Sequence, residues 1–324
     1  MRIRPSTCAM LLILIIGSAG CSKTSTTGPK PAPSPTRFTV FASDRGRSAG
    51  SFRNYITGLD VSGTSGFVFG TGTGVVDKHP SITGDGNLLV YQSSPGRGGS
   101  QDIFGYSRSS DHLTDDTNVN TDANETDPYI SLDGRRLAFV RDTLGRTDIR
   151  LYDTQNRSFI PLSGLKGPAG SSDWAPALDE QGDRLVFVSD RSGNPDVYLY
   201  QVSTQDLSSI PAMASDGADI EPSISGNGRW VCFASNRAGG VGDYDLYLFD
   251  RSAGQLVALP ANSSSSDRDP SISFDGTYIH FASDRPGGLG GMDLWLLNRA
   301  TGTVQEVSGQ NSAAADVDPV IVWK

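Results

Sequence analysis

The chain has 324 residues, of which 36% are hydrophobic, with 38 Gly and 18 Pro. Gly and Pro together stay below the roughly 25–30% of low-complexity chains, which excludes pervasive disorder and favours turn-rich all-β structure. A net charge of −9 excludes a nucleic-acid-binding face of clustered Lys and Arg, and three separated histidines exclude an HExxH zinc site.

Residues 1–20 read as an export signal. Arg2 and Arg4 form a positive start, residues 9–16 (AMLLILII) an apolar core, and residues 17–20 a small-residue run. Eight apolar residues are too few for a membrane-spanning helix, which needs about 20. Cys21 follows at once, and the small residues before it resemble a bacterial lipobox, although Ser18 stands where that motif usually has Leu. Cys21 is the expected lipidation site. Cys8 leaves with the signal, so Cys232 has no disulfide partner and reads as a small buried hydrophobe. Residues 21–36, rich in Ser, Thr and Pro, form a semi-extended tether.

From residue 37 the chain is repetitive. Pro80, Pro128, Pro176, Pro222, Pro270 and Pro319 recur at steps of 48, 48, 46, 48 and 49, a period that marks a solenoid or a propeller. Each unit carries four strand signals. The first follows the Pro. A turn such as Asp85-Gly86, Asp133-Gly134, Asn227-Gly228 or Asp275-Gly276 supplies the positive φ of a tight hairpin. The second strand alternates, as in residues 278–281. A Gly-rich loop leads to the third, as in residues 293–296, and the fourth is weaker, as in residues 303–307. Residues 316–324 hold only a first strand, whereas residues 37–45 begin at a second, so one unit is split between the two ends. Residues 37–324 then hold six units averaging 48 residues. The predicted fold is all-β: a six-bladed propeller of four-stranded antiparallel blades, closed by pairing of the N- and C-terminal strands.

The repeat P-x-[IL]-S-x-D-G-x-x-[LIV]-x-F-x-S-D-R-x-G-x-x-D-[ILV]-[YW] resembles that of the TolB-type propeller family and covers nearly all of residues 37–324. The resemblance implies a binding role. TolB itself has an additional N-terminal α/β domain, whereas only a short tether precedes the propeller here.

Six carboxylates stand three residues before the repeat prolines: Asp77, Glu125, Asp173, Asp219, Asp267 and Asp316. One residue before the Pro, acids recur at Asp127, Glu221, Asp269 and Asp318. The first set is expected either to ring one channel mouth and attract cations or a basic peptide, or to cap local turns. The loop arginines Arg45, Arg97, Arg141, Arg191, Arg237 and Arg285 are expected on the same face, further from the axis. Arginine of the Asp-Arg pairs is also expected to bridge the later loop acids, such as Asp196, Asp245 and Asp293, and hold the loops closed. Irregular loops 45–54, 94–101 and 237–244 are the expected source of specificity.

Residues 46–50 match G-x-S-x-G, but in an inter-strand loop rather than between strand and helix, so the match is assigned to chance. Asp243 with Asp245, and Asp267 with Asp269, could contribute to a Ca2+ site. Three functions follow. The leading one is a non-catalytic, membrane-tethered monomer that binds an envelope protein or peptide, placed at the outer membrane and facing the periplasm through a lipid anchor alone. The others are a carbohydrate hydrolase or lyase acting in the channel, and a structural propeller with Ca2+ at its mouth.

Overall fold

The computed structural model describes residues 37–43, 53–58, 65–69, 76–94, 100–107, 112–114, 118–307 and 310–323. The signal, the tether, Cys21, the G-x-S-x-G loop, Arg45 and Arg97 lie outside them. The strands assemble into four-stranded antiparallel sheets, the architecture of a β-propeller. Five blades use four consecutive strands each. Blade 1 begins at Val76–Ile82, blade 2 at Asn124–Ile130, blade 3 at Asp173–Leu178, blade 4 at Asp219–Ile224 and blade 5 at Asp267–Ile272. A closing sheet joins Asp316–Trp323 to Arg37–Ser43, Arg53–Gly58 and Ser65–Phe69. Its seam pairs Phe38 with Val322 and Val40 with Val320, so the two chain ends share one sheet and cover each other's edges.

The second strand of each sheet carries one large buried ring: Phe41, Tyr91, Phe139, Phe187, Phe233 and Phe281 are all at most 2% exposed. Burying such a side chain stabilises by roughly 1.5–3 kcal/mol. The apolar clusters lie between neighbouring sheets. Ile224 and Val231 of blade 4 pack with Leu199 of blade 3, and Val40 and Val322 of the closing sheet pack with Leu89 of blade 1. The hairpin turns have the backbone their glycines permit, with φ of 68° at Gly86, 75° at Gly134, 69° at Gly228 and 78° at Gly276. The side chains of Asp133 and Asp275 each accept the backbone N–H two residues on, at Arg135 and Thr277, which closes the turn locally.

Every first strand is interrupted at its proline. The register with the second strand slips between Lys78 and Ser81, Thr126 and Tyr129, Trp174 and Ala177, Ile220 and Ser223, and Arg268 and Ser271. Proline cannot donate to the ladder, so a bulge forms there. The residue before the proline takes positive φ in every sheet: His79, Asp127, Ala175, Glu221, Asp269 and Asp318 lie between 48° and 54°. None is glycine, so the left-handed backbone carries strain at six equivalent places.

Candidate functional site

The six bulges converge on the axis. They line a cavity of about 410 Å3 whose polar side chains are His79, Asp127, Glu221, Arg268, Asp269 and Asp318, over a floor of the repeat prolines with Trp174 and Tyr129. Four carboxylates thus face one arginine and one histidine. The left-handed turn also aims a backbone N–H along the ring. His79 N donates to Asp318 Oδ2 at 3.4 Å, Ala175 N to Asp127 Oδ2 at 3.4 Å, and Asp269 N to Glu221 Oε2 at 2.9 Å. Each of these carboxylates reaches from one sheet to the bulge of the next.

The two halves of the ring differ in charge. On one side Arg268 Nη2 donates to Glu221 Oε1 at 2.5 Å, and its guanidinium lies 4.7 Å from the Tyr244 ring centroid. Asp269 beside it is held well above the usual carboxylate range by burial, then by the negative charges of Glu221 and Asp318, which Arg268 offsets only in part. On the other side His79 Nδ1 lies 3.2 Å from Asp127 Oδ1. Crowding desolvates this imidazole and would lower its pKa, but the Asp318 and Asp127 carboxylates outweigh that and raise it.

The acids three residues before the prolines are placed differently from expectation. Asp77, Glu125, Asp173, Asp219, Asp267 and Asp316 are at most 2% exposed and do not line the axial cavity. Four of them meet the loop arginines in buried pairs. Arg141 Nε lies 2.8 Å from Glu125, Arg191 Nη2 2.6 Å from Asp173, Arg237 Nη2 2.8 Å from Asp219, and Arg285 Nη2 2.5 Å from Asp267. Each arginine also donates to a backbone carbonyl of the segment entering its blade: Val119, Leu165, Ala212 and Ala261 respectively. Three of them donate in addition to the strand-two serine, Ser189, Ser235 or Ser283. The guanidinium is therefore consumed by strand one, strand two and the incoming linker together. In the closing sheet Asp316 Oδ2 accepts from Ser312 N at 2.7 Å.

The expected bridge from these arginines to the later loop acids is replaced by this pairing. Asp245 Oδ2 instead accepts the N–H of Val241 at 2.6 Å, and Asp293 Oδ2 those of Leu289 and Gly290 at 2.8 and 2.9 Å. The extended glycine loops close on their own acid because Gly240 and Gly288 leave room: a Cβ there would fall about 2 Å from the carboxylate. One acid of each pair considered for Ca2+ is engaged by the protein itself, Asp245 by its loop and Asp267 by Arg285 and Ser263 N. Among the described residues no group of three or more His, Cys, Asp or Glu has the arrangement of a metal site.

Sequence reasoning picked out Asp127, Glu221, Asp269 and Asp318 as recurring acids but did not assign them to the channel, and it passed over His79, Ala175 and Arg268. The missed signal is inequality: the position before the proline holds four residue types, His, Asp, Ala and Glu, whereas the position two residues earlier is always acidic.

No family model matches the sequence, and no curated protein matches it. Solved structures match the fold. TolB from Acinetobacter baumannii is similar over 89% of this chain and 66% of its own, at a TM-score of 0.69 and 17% identity. A putative TolB from Agrobacterium tumefaciens is similar over 84% and 88%, at 0.58 and 17%. A puromycin-hydrolysing peptidase from Mycobacterium tuberculosis is similar over 83% of this chain and 44% of its own, at 0.55 and 16%. The fold is a TolB-like propeller. The chain spans just under two thirds of the length of the Acinetobacter protein.

Proposed function

We propose that this protein is a non-catalytic binding propeller of the cell envelope, in which the closing sheet serves as a sixth blade and the axial mouth receives a basic segment of a protein partner. The observation that carries this reading is the axial ring, where four carboxylates surround a cavity of about 410 Å3 against one arginine and one histidine. Even with Asp269 protonated, the other three carboxylates outnumber Arg268 and His79, and a walled cavity focuses that excess of negative charge onto cationic groups. The strained bulges hold the ring rigidly, as expected of a recognition site on a scaffold. The likeness to TolB proteins supports an envelope location and a protein partner. The N-terminal sequence supports tethering through lipid on Cys21 at the outer membrane, with the propeller facing the periplasm.

Decalysine is a suitable probe, measured by calorimetry at two salt concentrations. We expect binding that weakens with salt, and at least tenfold weaker binding in the Asp127→Asn/Asp318→Asn double variant. Equal affinity in the variant, with unchanged melting temperature, would remove the mouth from the reading.

A further inference from the structure

The third strands are nearly interchangeable between blades, with one exception. Second-strand partners fix the equivalence: Ala138 faces Leu151, Val186 faces Leu199, Cys232 faces Leu248, and His280 faces Leu296. The same pairing in blade 1 sets Val90 against Gly105. Four blades carry a leucine there, and all four are at most 7% exposed. Each leucine is a wedge between sheets. Leu199 packs with Ile224 and Val231 of blade 4, and Leu248 with Ile272 and Ile279 of blade 5.

Blade 1 lacks the wedge, and its socket is present. The residues of blade 2 matching Ile224 and Val231 are Ile130 and Leu137, and both line a cavity of about 150 Å3 that Gly105 also borders. Ile103, Val119 and Tyr152 complete its inner wall. Leu88 is partly buried against the same cluster, whereas Phe104 packs with Tyr91 on the opposite face of the sheet. The hydroxyl of Thr154, at one edge, already donates to Gly134 O at 2.7 Å, so the cavity offers apolar surface and little else. Gly105 lies in regular pairing between Val90 and Thr114 and is not among the residues with positive φ, so its backbone does not require glycine. Close packing is the rule in such interiors, and a lost leucine leaves lining atoms without partners.

We infer that this inter-blade cavity is a binding site for a free, uncharged, single-ring aromatic molecule. The size argument is direct: an apolar protein cavity of about 150 Å3 has room for benzene, and this one is open at one side, which gives a small ring a way in. The aromatic preference comes from Tyr152, whose ring belongs to the cavity wall, whereas the Phe104 ring stacks on Tyr91 at the opposite face of its strand. The site is separate from the axial mouth and shares no residue with it.

Benzene is the probe, titrated into the protein with methyl resonances of Val90, Ile103, Val119, Ile130 and Leu137 followed by NMR. Saturable shifts confined to these methyls are expected, with cyclohexane binding several-fold more weakly. Gly105→Leu restores the wedge and is expected to weaken benzene binding at least tenfold while raising the melting temperature. Gly105→Ala, which folds even if leucine fits poorly, is expected to weaken it about threefold. Absence of saturable shifts in the wild type, or unchanged benzene affinity in both variants, would overturn the assignment. Equal affinity for cyclohexane would overturn its aromatic preference.

Discussion

Glu125, Asp173, Asp219 and Asp267 are buried and each meets an arginine, whereas Asp127, Glu221, Asp269 and Asp318, each next to its repeat proline, face the axial cavity. The residue type is the same and the spacing is that of one strand face, yet the surroundings are opposed. In its four described pairs the outer ring is repeated and neutralised. The inner ring is uneven: an arginine sits on one side, a histidine on the other, and Ala175 carries no charge at all. Uniform chemistry at every repeat serves the condition common to all blades, which is folding. Unequal chemistry at equivalent places cannot be required by the fold, and it is there that a particular ligand can be distinguished.

The largest expected effect tests the outer ring. Asp267→Ala leaves the buried Arg285 guanidinium without its carboxylate, and breaking such a pair costs about 3–5 kcal/mol. Urea unfolding measures it. Asp318→Ala, in the inner ring, is expected to change stability by less than about 1 kcal/mol, since its contact is a 3.4 Å acceptance of His79 N. Equal losses in the two variants would abolish the contrast.

His280 gives the next largest effect and sharpens the same comparison, because it is an irregularity that faces the core and not the mouth. It occupies the strand-two place held by Val90, Val186 and Cys232 elsewhere. It is fully buried, and neither ring nitrogen has a hydrogen-bond partner among the described residues. Burial pushes its pKa down to about 3. The unfolded chain titrates near 6.5, so between these values the unfolded state binds more protons and stability falls as pH falls, by about 1.4 kcal/mol per unit. His280→Val is therefore expected to lose less stability than the wild type between pH 6.5 and 4. Parallel stability profiles for the two proteins would show that the imidazole stays uncharged in both states or is solvated in the fold.

The four-stranded blades, the hairpin turns and the terminal seam were legible from the sequence because each rests on local chemistry repeated at a fixed period, although five blades and a closing sheet stand where six blades were expected. Gly86 and Gly134 must have positive φ, and residues 316–324 lack a second strand of their own. The partner of each loop arginine was not legible. Arg237 is followed within eight residues by Asp245 but pairs with Asp219, eighteen residues earlier, because strand two returns antiparallel to strand one. Nor was the bulge. Only the register slip shows that the residue before the proline, and not the acid two places earlier, turns toward the axis. Gly105 was hidden for a further reason: a missing side chain is a signal only once strand pairing shows which residues are equivalent.

Asp269 offers a smaller test, inside the inner ring. Its pKa is raised by burial and by Glu221 and Asp318, so the folded state holds its proton above the range where the unfolded chain releases it. Stability from this group is present below the unfolded value and is lost as pH rises through the folded one. Asp269→Asn keeps the group uncharged at every pH. The variant should be more stable than the wild type at pH 8 and no more stable at pH 3.5, by thermal unfolding. A stability difference that does not change with pH would mean that Asp269 has the same pKa in the folded and unfolded states.

The smallest effect isolates the backbone from the charge. Ala175 shares the left-handed conformation of the ring, with φ of 48°, but brings no carboxylate to it. For a residue with a Cβ that conformation costs roughly 1–2 kcal/mol, and glycine removes the penalty. Glycine also gives the unfolded chain more freedom, which costs about 0.5–1 kcal/mol. The steric relief is the larger of the two, so Ala175→Gly should stabilise by about 0.5–1 kcal/mol and raise the melting temperature by about 1–2 °C. Decalysine binding should be unchanged, because no charge moves. A fall in melting temperature would show that the bulge is not strained at Ala175.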